Sequence, residues 1–134
     1  MWSVLVCDSD EAERNEILTY IRRFGAEKNQ EVMATGCADW PELYERLGQA
    51  EPDVILVAQN GVKGLDILTN IHLPPSQFIW FSDLDFSLQA YRLCIKSFSK
   101  KPVTYQKVER ALMEYRDTVA YRNLRKTEKF IRRG

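Results

Sequence analysis

Histidine is nearly missing from this chain: His72 is the only one in 134 residues. An imidazole-based triad or a histidine metal site therefore has almost no material. His72 itself falls where a third helix ends, beside Pro74, an exposed position. No Gly-x-Gly-x-x-Gly or Walker loop is present, so nucleotide binding has no support. No nucleophile–base constellation is visible, which argues against an enzyme, and no cofactor is expected. No apolar run approaches the roughly 18–20 residues of a membrane helix. Met1-Trp2-Ser3-Val4 runs directly into a strand, unlike a signal peptide. A cytoplasmic location without a membrane partner is therefore expected. Cys7, Cys37 and Cys94 are odd in number, far apart in sequence and free of C-x-x-C spacing. The expectation is three buried, reduced thiols.

Net charge is also zero, but the balance hides an asymmetry. Residues 1–60 carry 12 acids and 5 bases, and residues 61–120 carry 6 acids and 8 bases. Residues 121–134 carry 6 bases against Glu128 alone. The acidic front could serve a cation and the basic end a partner; solvated surface explains either equally well.

With 45% hydrophobic residues, the chain has enough apolar material for one core. Five apolar runs alternate with helical patterns. Ser3 to Cys7 reads as a strand. Asp8 to Asp10 then offer cap chemistry for a helix carrying Ile17, Leu18, Ile21 and Phe24, with Gly25 as its stop. Glu31 to Cys37 reads as the second strand. Trp40, Leu43, Tyr44 and Leu47 are spaced for a helix with Pro41 in its first turn and Gly48 after it. Val54 to Ala58 is the third strand, and Leu65, Ile67, Leu68 and Ile71 mark the third helix. Phe78 to Phe81, Phe86 to Leu93 and Ser97 to Ser99 give strand, helix and strand. A last helix carries Val108, Ala111, Leu112, Tyr115 and Val119, and no proline or glycine interrupts residues 104–132. Strands apolar on both faces, alternating with helices, predict a three-layer α/β sandwich: a five-stranded parallel sheet with helices on both faces and an extended C-terminal helix. The expected organisation is one domain over residues 1–120 and a basic helical extension over 121–134. In such sheets, sites form at the carboxyl ends of the strands, where Asp8, Ser9, Ala58, Ser82 and Lys101 fall.

Four segments carry a family resemblance over roughly residues 1–116. They are Val4-Leu5-Val6-Cys7-Asp8, Glu51-Pro52-Asp53-Val54-Ile55-Leu56-Val57, Gly64-Leu65-Asp66-Ile67-Leu68 and Phe98-Ser99-Lys100-Lys101-Pro102. In order and spacing the chain resembles the response-regulator receiver family, with the flavodoxin/CheY-like fold. Cys7-Asp8 and Phe86-Ser87-Leu88-Gln89-Ala90-Tyr91 resemble receivers of LytTR-type transcription regulators.

The resemblance implies a two-component signalling module in which an acidic pair and an acceptor aspartate hold Mg²⁺ and a phosphoryl group, because a hard cation needs several anionic oxygens. Here the pair is Asp8 and Ser9, and the acceptor position holds Ala58, whose methyl group neither attacks phosphorus nor ligates a metal. Asn60 falls where a backbone carbonyl would complete the site. The loop to Gly64 is two residues shorter than usual and lacks its proline. The hydroxyl position falls on Ser82 if the next loop has a one-residue deletion, and on Phe81 otherwise. Phe98 takes the switch-aromatic position, where a moving ring and a plain core phenylalanine both remain open. Lys101 is expected to pair with Asp8, with anion or ligand binding as the alternative, and Asp10 to cap the first helix. Magnesium binding should be weak or absent.

The chain therefore reads as a degenerate receiver, a pseudo-receiver acting without phosphorylation through a protein partner or a second copy. The family's face of fourth helix, fifth strand and fifth helix implies Tyr91, Phe98, Val108 and Tyr115 as the interaction surface, with a DNA-binding output domain as a possible partner. Two other classes stand beside this reading: a ligand sensor using the vacated pocket, and a nucleic-acid binder using the basic end, where Tyr121 and Phe130 are interleaved with the bases. For that end, a solvated or frayed segment comes first and a helical linker second.

Overall fold

The computed structural model describes the backbone of residues 1–133 and the side chains of residues 1–126. The end of the basic extension, with Phe130, lies outside the described side chains. The elements run β1 (Trp2–Cys7), α1 (Glu11–Glu27), β2 (Val32–Cys37), α2 (Trp40–Gln49), β3 (Val54–Val57), α3 (Val62–Asn70), β4 (Phe78–Ser82), α4 (Ser87–Arg92), β5 (Ser97–Lys100) and α5 (Tyr105–Arg133). All strands are parallel, in the order β2-β1-β3-β4-β5. The chain thus reverses direction beside β1, and the crevice at that reversal opens at the carboxyl ends of β1 and β3.

The doubly apolar strands build two cores through their two-residue alternation. Val4, Val6, Val54, Leu56, Ile79 and Phe81 pack on Ile17, Ile21 and Phe24 of α1 and on Val108 and Leu112 of α5. Leu5, Cys7, Ile55, Val57 and Trp80 face the other way, onto Leu43 of α2, Ile67 and Leu68 of α3, and Ala90 of α4. At the end of the sheet remote from the crevice, the Ser3 N–H donates to Asp53 Oδ2 at 2.8 Å and the Asp53 N–H to the Ser3 carbonyl at 2.9 Å. This clamp fixes the register of β1 on β3.

Three expectations are corrected here. Gly25 does not stop α1, which continues to Glu27 and ends in Lys28 and the left-handed Asn29 (φ 53°). A Cβ on Gly25 would lie 2.7 Å from the Gln30 carbonyl oxygen and 2.8 Å from a Val32 methyl, so glycine is needed for the returning chain to pass. Gly48 likewise lies inside α2. Cys94 is exposed rather than buried.

The interaction surface expected on α5 is corrected as well. Val108 is fully buried. Tyr115 is half-buried, edge-on to Trp2 with ring centroids 5.0 Å apart, on the inner side of the helix. Both follow the i, i+4, i+7 stripe that docks α5 on the sheet. The helix then continues across residue 120 without a break. At 29 residues it is about 43 Å long, far longer than any strand it covers. Beyond the sheet Tyr121 and Leu124 are exposed.

The two glycines give a paired prediction. Gly25→Ala should destabilise by about 1–3 kcal/mol, despite alanine's better helix propensity, because of overpacking. Gly48→Ala, with nothing within 4 Å of its Cβ, should stabilise by about 0.5–1 kcal/mol. Urea midpoints at unchanged m-value read both. Stabilisation by Gly25→Ala would contradict the close passage of Gln30.

Candidate functional site

The crevice is built from residues that the strands deliver to one end of the sheet. Asp8 follows β1 and is only 2% exposed. Its N–H donates to the Cys37 carbonyl at 3.0 Å, and its carbonyl accepts from Arg14 Nη1 at 2.8 Å. One carboxylate oxygen accepts the Asp10 N–H at 3.0 Å; the other, Oδ2, is buried with no donor. Burial, followed by the facing Glu13 carboxyl, pushes Asp8 up to about 7, against the opposing pull of the Asp10 N–H and the Lys101 charge. Asp10 caps α1, accepting the Glu13 N–H at 3.1 Å.

Ala58 continues β3 and is fully buried. Its N–H donates to the Cys7 carbonyl at 2.9 Å, and its carbonyl accepts from Lys101 Nζ at 2.7 Å. The second partner of that ammonium is Glu13, in a direct ion pair. The Asp8–Lys101 pair expected from the sequence is thus corrected. Glu13 lies one turn into α1 and reaches over the crevice to take the lysine. Asp8 meanwhile is held back by the Asp10 N–H in the turn before the helix. Glu13 is the site residue that sequence reasoning missed; its place at i+3 from the cap Asp10 was the available signal, because it projects the side chain toward the strand ends.

The structure brings Asp8, Ala58 and Lys101 together, and the Lys101 N–H ties this group to the Ser82 carbonyl at 2.8 Å. Ser82 is buried, with its hydroxyl 3.4 Å from Asp83 Oδ1 and accepting the Leu84 N–H at 3.2 Å. Phe81 points into the α1–α5 core. Ser9 and Asn60 are exposed at the rim. Beside Asn60, the Gly61 N–H donates to Asp83 Oδ1 at 2.8 Å, which joins the two loops and holds the Asp83 carboxyl below its ordinary value.

Gln59 is the second residue missed. It is buried, and its side chain joins three segments. The amide donates to the Ala38 carbonyl at 2.6 Å and to Cys7 Sγ at 3.8 Å, and its oxygen accepts the Ser9 N–H at 3.3 Å. Its own carbonyl would lie 2.6 Å from a Cβ on Gly64, so glycine there lets the loop fold back onto α3. On the far side of Gln59 a cavity of about 350 Å³ is lined by Ser9, Asp39, Trp40, Gln59, Lys63 and Ile67. Neither Asp8, Ala58 nor Lys101 lines it.

The residues present do not fit the Mg²⁺ that the resemblance implies for a working site. Asp8 and Glu13 are the carboxylates at hand, and the Lys101 ammonium already neutralises Glu13. Among the described residues no three of His, Cys, Asp or Glu gather as a metal site would require.

On the expected interaction face, Tyr91 is 81% exposed. Phe98 is half-buried, edge-on to Trp80 at 5.0 Å, inside the second core. At the basic end, Arg122 bonds Ser76 and Arg125 bonds the Tyr121 hydroxyl at 3.2 Å.

No protein-family model and no curated protein matches the chain. Solved structures do. The receiver domain of the Francisella response regulator 1452 superposes with TM-score 0.66 at 23% identity, covering 88% of this chain and 99% of that one. A response regulator receiver domain from Clostridium thermocellum gives 0.68 at 18%, covering 92% and 98%. A structure in which a yeast Spc42 trimeric coiled-coil segment is fused to another protein gives 0.67 at 13%, covering 98% and 90%. At these identities the likeness is one of fold. The chain has the flavodoxin/CheY-like α/β fold found in response-regulator receivers, with a long final helix.

The raised Asp8 makes stability depend on pH. Its folded value, about 7, exceeds the ordinary carboxylate value near 4, so the native state holds the proton more tightly. The resulting stabilisation is present at low pH and lost as pH rises from about 4 through 7. Asp8→Asn should flatten that slope and be more stable than the parent at alkaline pH by roughly 1–3 kcal/mol. Denaturant midpoints across the range measure it; a variant destabilised equally at every pH would contradict the assignment.

Proposed function

We propose that the protein is a pseudo-receiver: a signal-transduction module that acts through protein contacts and without phosphorylation at its crevice. The observation that carries this is the pairing at Ala58 and Lys101. The acceptor position has only a methyl group, and the lysine that would meet an acyl phosphate is already bound by Glu13 and the Ala58 carbonyl. Gln59 and Asn60, the adjoining side chains, are amides and poor phosphoryl acceptors.

The contact surface is α4. Leu88 and Tyr91, three residues apart on α4, are 56% and 81% exposed, and Leu84 in the bend before the helix is 47% exposed; together they leave an apolar surface at this end of the molecule. Leu84 and Leu88 take the place of Val108 and Tyr115, which are turned inward. This surface pairs with a second copy, and α5 with its basic continuation over 121–134 is a helical linker. Such a module regulates transcription when a DNA-binding output domain is attached or recruited. The likeness over 98% of the chain to a coiled-coil fusion is in keeping with a long helix that leaves the domain.

A second reading has one observation in its favour. The cavity beside Gln59 is within the range of small-ligand sites and combines the Trp40 ring with Asp39 and Lys63. A ligand there would sit against the loop of Ser9 rather than on Ala58 and Lys101.

Sedimentation velocity over a concentration series tests the contact surface. The wild type should dimerise, and Leu88→Asp or Tyr91→Ala should weaken that by about tenfold or more with unchanged thermal unfolding. A wild type that stays monomeric at the highest concentrations would overturn self-association through α4.

A further inference from the structure

Cys7 and Cys37 are thirty residues apart in sequence, but the fold sets them face to face. They are register partners at the last positions of β1 and β2. Directly opposed residues on neighbouring strands are about 4.8 Å apart, inside the Cα separation of about 4.4–6.8 Å that a disulfide spans. Both side chains enter the same core, between the sheet and α2–α3, and both are buried. Each thiol is a leading influence on the other's ionisation, as sulfurs in contact would be. A third polar group reaches this pair: the Gln59 amide, 3.8 Å from Cys7 Sγ. Gln59 is also a wall of the 350 Å³ cavity that opens beside Ser9 and Trp40. Gln59 therefore touches both Cys7 and a space large enough to admit small molecules.

We propose that Cys7 and Cys37 form a redox-modifiable dithiol, which a small hydroperoxide entering past Gln59 converts to a cross-strand disulfide. In the first step the Cys7 sulfur attacks the peroxide. An S–O bond forms, the O–O bond breaks, the thiol proton leaves with the departing oxygen as water or alcohol, and Cys7 becomes a sulfenic acid. In the second step the Cys37 sulfur attacks the Cys7 sulfur. The S–S bond forms, the S–O bond breaks, and the hydroxide leaves with the Cys37 proton as water. The two thiols are oxidised together by two electrons and the peroxide is reduced. A dithiol reductant restores the two thiols by thiol–disulfide exchange. The product fastens the turn after β1, which carries Asp8, to the turn after β2, which carries Asp39. Exposed Cys94 belongs to neither turn and serves as an internal reference.

The test exposes the folded full chain to hydrogen peroxide, unfolds it, alkylates the free thiols and maps the peptides. It is run on the wild type and on Cys94→Ser, which removes intermolecular bridging. The expected result is one reducible peptide pair joining Cys7 and Cys37, with two alkylation sites lost together. Gln59→Ala should speed the reaction severalfold. Cys37→Ser should halt it at a Cys7 sulfenic acid that dimedone traps. If Cys7 and Cys37 stay fully alkylatable under conditions that oxidise Cys94, the proposal is overturned. If the pair bridges in both chains but Gln59→Ala leaves the rate unchanged, the entry route is overturned.

Discussion

The Asp8 carboxylate lies in the interior with one oxygen facing no donor, and its surroundings are arranged around that unmet charge. A buried carboxylate is tolerated when it is paired, bonded or neutralised. Here the Asp10 N–H supplies one bond, Lys101 supplies charge at second remove through Glu13, and a raised proton affinity supplies the rest. A second carboxylate at position 58 would add a like charge to a pocket whose cation is already committed. Alanine at that position removes the repulsion, and the backbone carbonyl there accepts from Lys101. The crevice is thus a closed set of partners, in which the Lys101 ammonium is held by Glu13 and the Ala58 carbonyl.

Around this set the loops are tied to one another. Gln59 links the turns after β1 and β2 and the start of the β3–α3 loop, and Asp83 links that loop to the turn before α4. The crevice loops are thus bonded to the turn before α4 through Asp83 and Gly61, and to the turn of Asp39 through Gln59. The turn before α4 and the Cys7–Cys37 pair lie at the two ends of these links.

The layered fold was legible in the sequence because its strands are apolar on both faces and its helices repeat every three to four residues; both patterns are local. What failed depended on contacts between distant segments. Gly25 looks like a helix stop, but its cause is the passage of Gln30 and Val32. Val108 and Tyr115 belong to the α5 stripe that the sheet buries, and only the docking of α5 tells the inner side of that helix from its outer side. Lys101 was matched to the nearest acid by position along the family pattern, whereas Glu13 reaches it through the rotation of α1 about its own axis. Cys7 and Cys37 meet only through the register of β1 on β2, which no spacing rule contains. Ala58 and Lys101, at strand ends, were readable because strand ends are set by the apolar pattern itself.

Amide spectra of the full chain, recorded with Mg²⁺ and then with Mg²⁺ plus beryllofluoride, test the central claim most directly, because beryllofluoride mimics an aspartyl phosphate. The account predicts no saturable shifts at Asp8, Ala58 or Lys101 with either addition. Saturable shifts at those three residues would show that the crevice still takes a cation or a phosphate mimic, and would contradict a site closed by Lys101 and Glu13.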